Sequence, residues 1–400
     1  MAKDTCVLAY SGGLDTSAMI PYLRENYDLE VIAALVDVGR AQDLEALRER
    51  ALQAGAVDAI VIDARREFVD DFVFPALRAN ALYEEKYPLV SALSRPLISK
   101  KMVELANERG SKYVAHGCTA KGNDQVRFDV SIRCLDPHLV ILAPAREWNM
   151  TREELLDYMT ARGIEIPLTK KNPYSIDENV WGRTIECGEL EDPWEEPPAD
   201  AFTVTAGVEE APDQPEEVVV EFENGFPVAL DGERLEGAQL IDRIDEVGGR
   251  HGFGRIDMIE NRLVGIKSRE IYEVPGALAL IKAHKELEDL NLTRDLNHYK
   301  RNIEQRLADM IYDGQWFSPL SDAVHAFIRE TQKYVTGEVR LRFFKGNCTV
   351  MGRRSPYSLY VKELATYSTG DTFSHESAKG FCNLWGLPLE VWARREKELG

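Results

Sequence analysis

The sequence predicts an α/β protein in three parts: a doubly wound parallel sheet over residues 1–166, an α+β part over 167–365 and a C-terminal helical arm over 366–400. Three observations carry this. Short β-rich apolar runs alternate with helical patterns through the first part, as parallel βαβ units require. Strand–turn–strand patterns around Asn224-Gly225 and Lys345-Gly346-Asn347 mark antiparallel hairpins in the second. The tail holds more apolar side chains than a solvated terminus needs. A chain of 400 residues also exceeds one ordinary core.

The strands of the first part read as Thr5–Tyr10, Leu29–Val36, Ala59–Asp63, Lys112–His116 and Leu139–Ala143. Between them lie helices such as Leu44–Ala54, ended by Gly55, and one opened by the capping box Thr151-Arg-Glu-Glu154 and closed near Gly163. Ligands of such a sheet sit beyond the carboxyl ends of its strands. From Glu189 to Glu217 the chain is acidic, proline-rich and aperiodic, which predicts an extended surface connection. Beyond it, Val218–Phe222 pairs with Val228–Leu230, and Glu338–Phe344 with Cys348–Arg353. A long helix, Thr293–Tyr312, turns Leu296, Tyr299, Ile303, Leu307 and Met310 to one face. The tail from Ser374 carries Phe381, Leu384, Trp385, Leu387, Leu389, Val391 and Trp392, the pattern of an arm that joins subunits.

No run of about 18 apolar residues occurs and the start has no signal-peptide pattern, so the expected location is the cytoplasm, with no membrane partner. Six scattered cysteines form no Cys-x-x-Cys pair. They predict reduced thiols and no protein-held metal. With 48 Lys and Arg against 68 Asp and Glu, the formal charge is −20, which disfavours a nucleic-acid groove and favours small substrates.

The strongest local signal is Ser11-Gly-Gly-Leu-Asp-Thr-Ser17, between the first strand and the first helix. Two glycines there let the backbone approach a phosphate, the free amides of the helix start point at it, and Ser11, Thr16 and Ser17 add hydroxyls. A Walker loop would place Lys before Ser/Thr for γ-transfer; this loop has no lysine. It resembles instead the PP-loop of ATP pyrophosphatases, which grips the leaving pyrophosphate while a nucleophile attacks the α-phosphate. Asp15 is then positioned to orient Mg²⁺ carried by ATP or pyrophosphate. Pro21 falls inside the helix that follows, where it predicts a kink. Val36-Asp-Val-Gly-Arg40, after the second strand, lies where adenine is expected.

After the fourth strand, Ala115 to Phe128 gathers Thr119, Lys121, Asn123, Asp124, Gln125 and Arg127 at the same sheet edge. Donors and acceptors at that density suit a zwitterion. Here the chain resembles the argininosuccinate synthases, through Tyr87-Pro-Leu-Val-Ser-Ala-Leu-Ser-Arg-Pro96, His116-Gly-Cys-Thr119, Lys121-Gly-Asn-Asp-Gln-Val-Arg-Phe128, Asn172-Pro-Tyr-Ser-Ile-Asp-Glu-Asn179 and Arg255-Ile-Asp-Met-Ile-Glu-Asn-Arg262 to Lys267-Ser-Arg-Glu-Ile-Tyr-Glu273. Ala120 stands where that family usually has Gly, and Arg40 where it usually has Gln.

The resemblance implies a nucleotide-binding domain followed by a synthetase domain, and a homotetramer of arginine biosynthesis. It implies an enzyme that joins citrulline to aspartate at the expense of ATP, giving argininosuccinate, AMP and pyrophosphate through citrullyl-AMP. It implies ATP contacts at Ala9, Tyr10, Ser11, Gly12, Gly13, Leu14, Asp15, Thr16, Ser17, Val36 and Gly117. Thr119, Asn123 and Asp124 would contact aspartate. Tyr87, Asn123, Arg127, Ser175, Thr184, Glu260 and Tyr272 would contact citrulline. Thr184 lies in Gly-Arg-Thr-Ile-Glu186, where many relatives have His-Ile-Ser-Tyr-Glu. Asp15, Asp124 and Arg127 are the expected catalytic residues. The competing readings are a PP-loop enzyme acting on tRNA and a nucleotide sensor without chemistry.

Overall fold

Five parallel strands form the first sheet: β1 (Thr5–Ala9), β2 (Glu30–Asp37), β3 (Asp58–Asp63), β4 (Tyr113–Ala115) and β5 (Val140–Leu142). They match the five expected strands to within two residues at each end. The computed structural model describes residues 3–40, 43–148, 150–164 and 174–400. The expected boundary at 166/167, and the Asn172-Pro173 start of one motif, lie outside them. Alternation along β1 gives burial on both sides. Cys6 and Leu8 face Met19, Ile20 and Leu23, whereas Val7 faces Met102, Ala106 and Phe128. The order is β3-β2-β1-β4-β5, so connections leave in opposite directions at β1 and β4, and a crevice opens beyond their carboxyl ends.

Helix Leu14–Asn26 runs through the buried Pro21, which cannot donate to the Ser17 carbonyl. The capping box of helix Arg152–Thr160 is formed, with both Thr151 and Glu154 bonded across the first turn.

Among the described residues nine further strands follow: β6 (Ser175–Asn179), β7 (Gly182–Glu186), β8 (Glu216–Glu223), β9 (Phe226–Leu230), β10 (Glu233–Arg234), β11 (Arg255–Asn261), β12 (Lys267–Glu273), β13 (Gly337–Phe344) and β14 (Asn347–Arg354). They build two antiparallel sheets, β10-β9-β8-β13-β14 and β11-β12-β7-β6. Both expected hairpins are present. Asn224-Gly225 has φ of 52° and 80°, and Lys345-Gly346 has 45° and 79°, the left-handed pair that matches strand twist. Asn347 pairs with Phe344, so the second turn is one residue shorter than expected. The four-stranded sheet has no alternating apolar signature because Glu260, Glu270 and Glu273 occupy buried positions in it.

Two expectations need correction. In helix Arg294–Tyr312, Leu307 and Met310 are buried and Leu296 and Ile303 partly so, but Tyr299 is 59% exposed, lying edge-on to Phe327. The neighbouring Lys300 is fully buried instead, between Glu288 (2.9 Å) and Glu304 (2.6 Å), since a paired ammonium tolerates burial. The acidic connection is not wholly at the surface. Leu190, Ala201, Thr205 and Ala211 are buried, and Glu273 accepts the amides of Thr203 (3.1 Å), Val204 (3.0 Å) and Thr205 (2.8 Å).

Residues Met1–Tyr357 form one compact unit and Ser358–Gly400 a second. The second contains helices Lys362–Ala365 and His375–Leu399, neither with a buried residue. Among the described residues no helix is long and apolar enough to cross a membrane.

Candidate active site

The phosphate loop follows β1, and Gly12 turns it with φ of 78°, a conformation glycine adopts without strain. Gly13 is the N-cap of helix Leu14–Asn26 and has no side-chain cap, so the first amides remain available to a ligand. Ser11 Oγ lies 3.2 Å from Thr16 Oγ1, and the Tyr10 hydroxyl 2.9 Å from Ser17 Oγ, which fixes the hydroxyls around the loop. Asp15 is exposed in the first helical turn. Across the crevice, a Cβ on Gly117 would lie 2.7 Å from Thr16 Cγ2. Only glycine lets the β4 loop come that close.

A cavity of about 610 Å³ runs from this loop to the β2 edge, lined by Tyr10, Ser11, Val36, Gly39, Arg40 and Gly117 among others. Its size suits a nucleotide. Arg40 holds a left-handed φ of 54° and is ion-paired to the buried Asp245. Ala120 does not take a positive φ, so a side chain is accommodated there without strain. Its carbonyl accepts from Gln125 Nε2 at 2.5 Å, which braces the loop from within.

Beyond the cavity, charged groups form a continuous chain. Arg95 and Asp177 line the cavity and are paired with each other. Arg95 also donates to Asp124 Oδ2 at 2.8 Å, and Arg127 donates to Asp124 Oδ1 at 2.7 Å. Burial pushes the Asp124 carboxyl upward, but the two guanidiniums outweigh it and hold the group at about 2. Arg127 is 3% exposed, donates to the Tyr312 carbonyl at 2.9 Å and lies over the Tyr312 ring. One prong of its fork, Nη2, is buried and has no partner.

Tyr312 leads into an aromatic cluster. Its hydroxyl and that of Tyr272 (2.5 Å) both donate to Glu260, and Asn123 Nδ2 donates to the Tyr312 hydroxyl at 2.6 Å. Tyr87 stacks on Tyr272 with centroids 4.2 Å apart. Burial and the Glu260 carboxylate push both phenols, Tyr272 and Tyr312, upward, so they remain donors. Thr184 lies opposite Tyr272 in the β7–β12 pairing, and its buried hydroxyl has no partner. Two of the expected citrulline contacts thus hold unsatisfied buried groups, which native interiors seldom keep without a ligand or water. Ser175 lies on β6 opposite Glu186 and Thr119 on the loop before Asn123, both exposed.

With this geometry in place, comparison with known proteins gives a direct result. The family model described as the arginosuccinate synthase N-terminal HUP domain matches residues 5–165, and the arginosuccinate synthase C-terminal domain matches 174–392. The chain belongs to the argininosuccinate synthase family. Curated argininosuccinate synthases include one from Halalkalibacterium halodurans, 56% identical over all of this chain and 97% of its own length. One from Symbiobacterium thermophilum is 55% identical over 99% of each chain, and one from Bacillus subtilis 56% identical over 96% of this chain and 95% of its own. Matches of this length do not favour the tRNA-modifying alternative.

Sequence reading gave no role to Arg95, Asp177, Glu186, Arg262 and Glu270. Arg95 lies within the Tyr87–Pro96 motif, in the interior of helix Val90–Arg109, and only the structure shows that its neighbours Leu93, Ser94, Pro96 and Leu97 are buried. Arg262 Nη2 donates to Glu186 and to Glu270, each at 2.6 Å. Acidic residues of an argininosuccinate synthase strand pair read as solvent-facing until the sheet that buries them is known.

Proposed function

We propose that this chain catalyses the joining of citrulline to aspartate, with ATP cleaved to AMP and pyrophosphate, as an enzyme of arginine biosynthesis. The observation that carries the reading is the hydrogen-bonded chain from the nucleotide cavity, through Arg95, Asp124 and Arg127, to the Tyr312–Glu260–Tyr272 cluster.

ATP lies with its β- and γ-phosphates over Gly12–Ser17 and its base toward Val36. Among the described residues no group of three or more His, Cys, Asp or Glu is arranged to hold a metal. Mg²⁺ would be carried by the ATP phosphates, with Asp15 as the carboxylate that would orient it directly or through water. Arg127 Nη2 takes one oxygen of the citrulline carboxylate, Thr184 and Ser175 donate or accept beside it, and Glu260 pairs with the citrulline ammonium. Tyr87 and Tyr272 wall the alkyl chain.

In the first step the ureido oxygen attacks the α-phosphorus and pyrophosphate leaves, giving citrullyl-AMP. In the second, the amine of aspartate, held by Thr119 and Asn123, attacks the ureido carbon. The carbon–oxygen bond breaks, AMP leaves and the amine loses a proton. Asp124 serves by orientation, since both its oxygens are engaged by guanidiniums. Alignment of this kind can supply about 7 kcal/mol or more. The working enzyme is a cytoplasmic homotetramer, a reading supported by the exposed apolar side chains of helix His375–Leu399.

Citrulline labelled with heavy oxygen in the ureido group tests the bond that breaks. The label should finish in AMP. Label in inorganic phosphate, or ADP as the nucleotide product, would overturn the reading.

A further inference from the structure

We infer that Arg262, at the tip of the β11–β12 hairpin, is a positioning residue that sets the Thr119–Asn123 loop for the second half-reaction. The inference rests on the assignment of that loop to aspartate.

Four contacts place Arg262 in the middle of the site's polar frame. Its Nη1 donates to the Lys121 carbonyl at 3.2 Å, its Nη2 to Glu186 and Glu270, and its Nε to Ser268 Oγ at 2.7 Å. The next residue, Leu263, donates its amide to Asn123 Oδ1 at 2.8 Å. The hairpin tip therefore holds the loop at two points, one on its backbone and one on a side chain. Asn123 is held from its other end by the Tyr312 hydroxyl, which also donates to Glu260. A movement of Arg262 thus reaches the aspartate loop directly, whereas the citrulline ammonium site is held separately by the Tyr272 and Tyr312 hydroxyls on Glu260.

The fork geometry matters more than the charge. Three nitrogens of one planar group serve four acceptors on three different segments, the loop, β7 and β12. A lysine ammonium can stay between Glu186 and Glu270, but it cannot also reach Ser268 and the Lys121 carbonyl. The loop itself is short of other ties. Gln125 braces it only internally, through the carbonyls of Ala120 and Gly122.

The phosphate loop is not touched by Arg262, so the two half-reactions should separate. In Arg262→Lys the KM for aspartate should rise about tenfold or more. Pyrophosphate released in a single turnover from ATP and citrulline should stay within about twofold of the parent. A variant with Arg262, Glu186 and Glu270 all replaced by Gln removes the paired charges together, and it should show the same aspartate defect while remaining folded at the assay temperature. An unchanged aspartate KM in Arg262→Lys overturns the inference. So does an equal loss for all three substrates in a folded variant, which is the mark of a brace alone. Thr119→Val, run alongside, isolates the underlying assignment: if it leaves aspartate KM unchanged while Arg262→Lys raises it, the contact assigned to Thr119 is wrong and the positioning role stands. If Thr119→Val raises aspartate KM and Arg262→Lys does not, the positioning role alone falls.

Discussion

Arg127 concentrates most of what a single residue contributes here. Its Nε and Nη1 are engaged by the Tyr312 carbonyl and Asp124, which leaves Nη2 as the nitrogen without a partner, the one proposed to take the citrulline carboxylate. Replacing it with lysine keeps a positive charge but loses the planar fork and its hold on Asp124. At roughly 1.5–3 kcal/mol for a hydrogen bond to a charged group, Arg127→Lys should raise the citrulline KM about tenfold to a hundredfold. Steady-state kinetics with each substrate varied in turn checks this, and a uniform rise for all three would assign Arg127 to loop support. Arg127 was legible in the sequence because it sits in a loop dense with polar groups. Arg95 makes as many contacts but was not, since a lone arginine in a helix reads as a solvated side chain until its neighbours are known to be buried.

At the scale of elements, strands made of continuous apolar runs announced themselves and strands that bury acids did not. The runs of β1 to β5 are apolar on both faces and were found almost to the residue. In β7, β11 and β12 the inward positions hold Thr184, Glu260, Glu270 and Glu273, which erases the period-two signal. That substitution of acids for apolar residues has a measurable cost. Burial, together with the Glu186 and Glu260 carboxylates, pushes Glu270 up to about 7 from an ordinary 4.5. A carboxyl raised in the folded state contributes stability that is complete below about pH 4.5 and is lost as pH rises through about 7. Glu270→Gln holds that position neutral throughout. The melting temperature of the variant minus that of the parent should therefore grow more positive between pH 5 and pH 8. A difference that stays flat across this range would mean that Arg262 compensates Glu270 fully.

For the molecule as a whole, the tail and the acidic connection pose opposite problems. Helix His375–Leu399 exposes Phe381 (62%), Leu384 (74%), Trp385 (74%) and Leu389 (68%), more apolar surface than a free terminus tolerates. Deleting residues 374–400 should lower the assembly state from the proposed tetramer, read as mass by light scattering. An unchanged mass would leave these side chains without an oligomeric role. The tail's composition made this surface visible in the sequence, whereas the connection's composition concealed its anchorage: acidic and proline-rich, it read as free, yet Glu273 holds three successive amides of it and the Thr205 hydroxyl. Trp194, 92% exposed, projects from the stretch between buried Leu190 and buried Ala201. A protease that cuts after aromatic residues would find an entry there, and the two pieces would stay clasped by the β7–β12 ladder and the Arg183–Glu273 ion pair, parting only when the fold itself is undone.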